Sequence, residues 1–215
     1  VGKSTAALVL SQVYCAAGKA TALIDADPNQ PLATWAKRSA EAIPKNLTVI
    51  GGINEQTIID TIEDAAAKNT FVIVDLEGSA NMTATYAVSR ADLVLIPMRG
   101  KQLDADQAGR VVAFIKQQNK AFGRDIAYRA MFSMMDQLTS REERHIRAML
   151  AENGIPILPA ALKNMAAFSA IFQTGGTIFD LTKEDVTNTS KAIQNAGELA
   201  QAVAAAIPTK RAKVA

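Results

Sequence analysis

The chain has 215 residues, of which 49% are hydrophobic, 20% charged and 5% aromatic, so its core must come from Ala, Val, Ile and Leu rather than from stacked rings. Its 23 Lys and Arg against 21 Asp and Glu leave a net charge of +2, too near neutrality to imply a polyanionic partner by composition alone. One cysteine, Cys15, excludes an internal disulfide or a Cys-x-x-Cys motif, and no apolar run reaches the roughly 18 to 20 residues that span a bilayer. The start Val1-Gly2-Lys3 has no signal-peptide layout. These features predict one cytoplasmic α/β domain over 1–207 and a polar basic tail over 208–215.

In chain order, Ala6, Val9, Leu10, Val13 and Ala17 recur at helical spacing after Gly2, with Gly18 as the C-terminal stop. Ala20 to Asp25 reads as a short buried strand that ends in acid and runs into the turn Asp27-Pro28-Asn29-Gln30. A helix over Pro31–Ala42, a strand over Leu47–Ile50 and a helix over Asn54–Ala67 with an Asn cap follow. Phe71 to Asp75 is the clearest buried strand; a Gly-Ser-Ala-Asn loop, a short helix to Ser89 and the strand Leu93–Pro97 come next. Further on, a helix is predicted over Asp104–Gln118, a strand over Ile126–Met134 and a helix over Thr139–Glu152 with Thr139 as cap. A last strand over Ile155–Leu158, a helix turn marked by Phe168 and Phe172, a loop over Thr182–Ser190 and a terminal helix over Ser190–Ala206 complete the chain. Strands alternating with helices predict a three-layer αβα fold around a mainly parallel sheet.

Val1-Gly2-Lys3-Ser4-Thr5 is the second half of a Walker A phosphate loop at the start of a helix. Lys3 would set a point charge on the β- and γ-phosphates, the Ser4 hydroxyl would ligate Mg²⁺, and Thr5 would reach the α-phosphate. The strand and first glycine that open this motif are absent ahead of Val1. We therefore expect the N-terminal strand of the sheet to be missing and the chain, as it stands, to bind nucleotide weakly. Asp75 closes a run of four apolar strand residues and suits the Walker B role of holding Mg²⁺ through water opposite Ser4. Asp25 and Asp27 end the preceding strand, and in an open parallel sheet all three acids are expected at the carboxyl-end crevice, where they would need a cation.

Taken in order, Gly-Lys-Ser-Thr, Leu-Ile-Asp-Ala-Asp-Pro-Asn-Gln, Val-Ile-Val-Asp and Ala-Asp-Leu-Val-Leu-Ile-Pro resemble the ParA/MinD group of deviant-Walker P-loop ATPases, and most closely the ParA-type partition proteins. The resemblance covers roughly the first half of the chain and continues more weakly through Ile155–Pro159 to Thr174-Gly175-Gly176. It implies an ATP-driven homodimer that uses ATP and Mg²⁺, binds DNA without sequence preference near the nucleoid, and hydrolyses ATP when stimulated by a centromere-binding ParB-like partner. It also implies that Asp27 orients the attacking water and that Asp25 supports it or serves the loop structurally. Two positions depart from the family pattern. The signature lysine would lie upstream of Val1, and the proline-containing second switch is replaced by Leu76-Glu77-Gly78-Ser79. Glu77 is read there as a surface acid, with water positioning as the alternative.

Candidate DNA contacts are Arg99, Lys101, Arg110, Lys116, Lys120 and Arg124, the helical set Arg141, Arg144 and Arg147, and the tail residues Lys210, Arg211 and Lys213. Solvated surface is the favoured reading for the first two groups. His145 stands alone and supports neither a metal nor a triad. A partition ATPase leads, with a border-DNA-binding conjugation protein of the same family as a close variant. A MinD-like membrane-site ATPase lacks the bulky amphipathic C-terminal helix it needs. A metabolic P-loop enzyme of the same fold is the remaining class.

Overall fold

The computed structural model describes residues 2–79, 81–136, 139–182 and 184–209. Helix α1 (Lys3–Ala16) starts directly after Gly2, whose backbone is left-handed at φ 77°, and ends where Gly18, at φ 75°, turns the chain into β1 (Thr21–Ala26). All six residues of β1 are buried, because it pairs on both sides, with β2 (Leu47–Ile50) and with β3 (Phe71–Leu76). Both pairings are parallel, and Asp25 and Asp75 are register partners at the carboxyl end. A second parallel sheet has the order β4 (Leu93–Met98), β5 (Ala127–Met135), β6 (Leu162–Lys163).

The helices are α2 (Pro31–Ser39), α3 (Ile58–Lys68), α4 (Met82–Arg90), α5 (Gln102–Phe122), α6 (Arg141–Glu152), α7 (Ala166–Thr174) and α8 (Thr189–Ala206). Period-two alternation divides each strand between two helical layers. Phe71 and Ile73 of β3, Leu93 and Leu95 of β4 and Met131 of β5 all enter one cluster with α1, α7 and α8. On the opposite face, Val72 and Val74 of β3 pack with α3, whereas Val94 and Ile96 of β4 pack with α5 and α6. The result is the expected αβα sandwich, in which α1 and its neighbours cover both sheets. The ring of Tyr14 stacks on Phe71 with centroids 3.9 Å apart, and burial pushes its hydroxyl up to about 12.

Among the described residues the sheet is divided into two ladders, β2-β1-β3 and β4-β5-β6, which agrees with the expected lack of an N-terminal strand. Three local expectations are corrected. The strand expected over Ile155–Leu158 shrinks to one bridge, Ile157 to Ala130, because Pro156 and Pro159 have no N–H to donate to a ladder; the pairing with β5 resumes at β6. The cap of α6 is Ser140 rather than Thr139, its side chain accepting from the Glu143 N–H at 3.0 Å, so the Ser-x-x-Glu spacing starts one residue later. Asn54 caps a preceding turn, accepting from the N–H groups of Gln56 and Thr57, and α3 starts only at Ile58.

Candidate functional site

The site lies at the carboxyl ends of β1 and β3, where α1 begins. Asp75 is 3% exposed, and its Oδ2 is buried without a hydrogen-bond partner. Burial pushes its carboxyl up to about 6; the Ser4 hydroxyl beside it and the Lys3 ammonium pull the other way, and Asp25 and Asp27 add to the rise. An oxygen buried at this cost, next to a serine hydroxyl and a lysine, fits a hard divalent cation with oxygen ligands, as Mg²⁺ is. Ser4 and Asp75 are the two predicted ligands that come together.

Asp25 is committed elsewhere. Its Oδ2 accepts the backbone N–H groups of Leu32 and Ala33, each at 2.8 Å, and its Oδ1 accepts that of Asp27 at 3.3 Å. The first two amides belong to the opening turn of α2, whose own N-cap residue, Gln30, makes no side-chain cap bond. Asp25 therefore satisfies that helix terminus from the neighbouring strand and fixes the loop that carries Asp27. Asp27 is half-buried, and its Oδ1 accepts from both the backbone and the side-chain nitrogen of Asn29, at 2.8 and 3.0 Å. Among the described residues no group of three His, Cys, Asp or Glu has metal-binding geometry, although Asp25 and Asp27 lie near enough to Asp75 to push its carboxyl up.

Gly2, Lys3, Ser4 and Thr5 are half-buried at the head of α1, while Val1 lies outside the described residues. A Cβ on Gly2 would stand 3.3 Å from Ser133 Oγ, so the loop runs close under the end of β5. Lys3 points at the segment after β3: a Cβ on Gly78 would be 3.7 Å from its Nζ. In that segment the Ser79 hydroxyl and the Asn81 amide both donate to Glu77 Oε1, the latter at 2.8 Å, and Asn81 Oδ1 accepts the Ala84 N–H at 2.8 Å to cap α4. Glu77 is thus half-buried and braced rather than a free surface acid. The roles of Ser79 and Asn81 were not read from the sequence; the available signal was an Asn directly ahead of the α4 pattern.

Five of the nine candidate DNA contacts among the described residues are engaged within the fold. Arg99 pairs with Asp104 at 3.0 Å, Lys101 with Glu142 at 2.8 Å, and Arg147 with Glu143 at 2.8 Å while stacking 3.9 Å over the Phe132 ring. Arg124 donates to the carbonyls of Ser89 and Ala91, and Arg144 to that of Thr139. Arg110, Lys116, Lys120 and Arg141 are exposed. Lys210, Arg211 and Lys213 lie outside the described residues. His145 is exposed on α6 and joins no metal-binding group among the described residues. No helix among the described residues is long and apolar enough to cross a membrane.

Comparison with known proteins adds three kinds of likeness. The family model described as VirC1 protein matches residues 1–209. A curated relative, "Protein ParA" of Rhizobium radiobacter, is 38% identical over 203 residues, covering 94% of this chain and 90% of its own length. Among solved structures, MinD from Pyrococcus horikoshii complexed with Mg-ADP superposes with a TM-score of 0.68 at 16% identity, covering 98% of this chain and 94% of its own. A Borrelia burgdorferi protein assigned to plasmid partition and bound to AMPPNP gives 0.70 at 13% identity, covering 95% and 93%. At these identities the structural matches establish the fold.

Proposed function

Because the chain belongs to the VirC1 protein family, and with its ParA relative to the ParA/MinD group of P-loop ATPases, we propose that it is a DNA-partition ATPase. The observation that carries this reading is the buried, unpartnered Asp75 Oδ2 beside Ser4 at the head of α1, with Lys3 alongside. Mg²⁺ held by Ser4 and Asp75 would neutralise charge between the β- and γ-phosphates. The chain's own groups do the rest. Lys3 and the free amides at the head of α1 bind the phosphates, and Asp27, its Oδ1 fixed by Asn29, faces the attacking water. Asp25 holds that loop in place through α2.

Dimerisation on ATP, sequence-independent DNA binding on the nucleoid and stimulation by a ParB-like partner belong to the same proposal and rest on the family resemblance. Arg110, Lys116, Lys120 and Arg141 are the exposed cations of the candidate set that remain for phosphate contact. The membrane-site alternative gains no support, since α8 ends in Ala204, Ala205 and Ala206 rather than in bulky apolar residues. In the full protein, Asp27→Ala should leave ATP-analogue affinity intact and lower turnover about 100-fold or more, as read by calorimetry and phosphate release. Unchanged turnover would remove Asp27 from the mechanism.

A further inference from the structure

Glu77 lies in the segment that replaces the family's proline-containing switch, and its surroundings are those of a positioned group. Two donors, the Ser79 hydroxyl and the Asn81 amide, converge on one oxygen, Oε1. Asn81 is itself fixed, because its own oxygen caps α4 through the Ala84 N–H. A carboxylate gripped through one oxygen holds the other in a defined direction with its lone pairs available. Glu77 follows the metal-site residue Asp75 by two positions, directly after β3 ends at Leu76. The next residue, Gly78, is the one whose added Cβ would meet Lys3 Nζ at 3.7 Å. The braced carboxylate therefore sits in the segment that lies against the phosphate-binding lysine.

We propose that Glu77 is a second water-orienting carboxylate of this site, accepting one O–H of the attacking water through Oε2 while Asp27 accepts the other. This rests on the ATPase reading above. In the step so arranged, the water oxygen forms a bond to the γ-phosphorus, and the bond from that phosphorus to the bridging oxygen breaks with its electron pair leaving on ADP. One water proton stays on the inorganic phosphate as its hydroxyl, and the other passes to solvent. Glu77 takes no proton. It fixes the direction of attack, which two acceptors do better than one because holding both O–H groups sets the orientation of the water and so of its lone pairs.

Two substitutions in the full protein separate this role from simple bracing. Glu77→Gln keeps an oxygen for Ser79 and Asn81 and turns the other acceptor into an N–H donor, whereas Glu77→Ala removes both. With ATP and Mg²⁺, kcat should fall about 10- to 100-fold in both variants, while KM and affinity for a non-hydrolysable ATP analogue stay within about 3-fold. The thermal midpoint of Glu77→Gln should match that of the parent. Parental turnover in Glu77→Gln beside a loss in Glu77→Ala assigns Glu77 to bracing and overturns the inference, while the ATPase reading survives. Absence of turnover in the unsubstituted protein overturns both.

Discussion

Asp75 and Asp25 occupy neighbouring positions in the ladder, yet the fold treats them in opposite ways. Asp25 receives three backbone N–H groups, whereas one oxygen of Asp75 is buried with none. The second arrangement carries a pH signature. With the folded-state value near 6 against an ordinary 3.8, the folded chain keeps a proton between those limits that the unfolded chain has released. Stability from this group is therefore fully present below pH 3.8 and lost as pH rises through 6, by about 3 kcal/mol at most for a shift of this size. Asp75→Asn should flatten that part of the metal-free stability–pH curve, raise the metal-free thermal midpoint at neutral pH, and abolish Mg²⁺-dependent nucleotide binding. A thermal denaturation series from pH 4 to 7, without metal, checks the sign. At this scale the acids at the strand ends were legible in the sequence, because a run of apolar residues closed by Asp is a local pattern. The bracing of Glu77 and the capping by Asp25 were not, since each depends on groups brought close by folding.

Elements that rest on local signals match the structure within a few residues: β2 is where its apolar run predicts it, and α1 and α8 follow their helical periodicity. Errors arise where prolines or competing caps decide, as at Pro156, Pro159 and Ser140. The clamp between α5 and α6 was illegible for a different reason: it is built from long-range pairs, Lys101 with Glu142 and the Gly100 backbone against Glu143. A Cβ on Gly100 would fall 2.9 Å from Glu143 Cβ and 3.2 Å from its Cα, so backbone has to move to admit it. Gly100→Ala should destabilise the protein by about 1–3 kcal/mol. Gly109→Ala, in the same region but on a helix with nothing within 4 Å, should stabilise it by about 0.5–1 kcal/mol. Urea denaturation of the two variants side by side reads both effects; an unchanged midpoint in Gly100→Ala would show that the contact between Gly100 and α6 is not tight.

Across the whole molecule, alternation of strand and helix was enough to give the layers, because a right-handed crossover leaves few ways to cover a parallel sheet. The two ladders share a single cluster under α1 while keeping separate packing on the other face. That geometry sets the head of α1 at the carboxyl end of β3 and close to the end of β5, where Lys3, Ser4 and Asp75 come together and Gly78 lies against Lys3. On the proposed function, ATP is hydrolysed at this point. The most direct test is phosphate release from ATP and Mg²⁺ by the full protein beside its Lys3→Ala variant. Measurable turnover is expected in the parent, with a fall of about 100-fold or more in the variant. Turnover that is equal in the two proteins would contradict the proposed function.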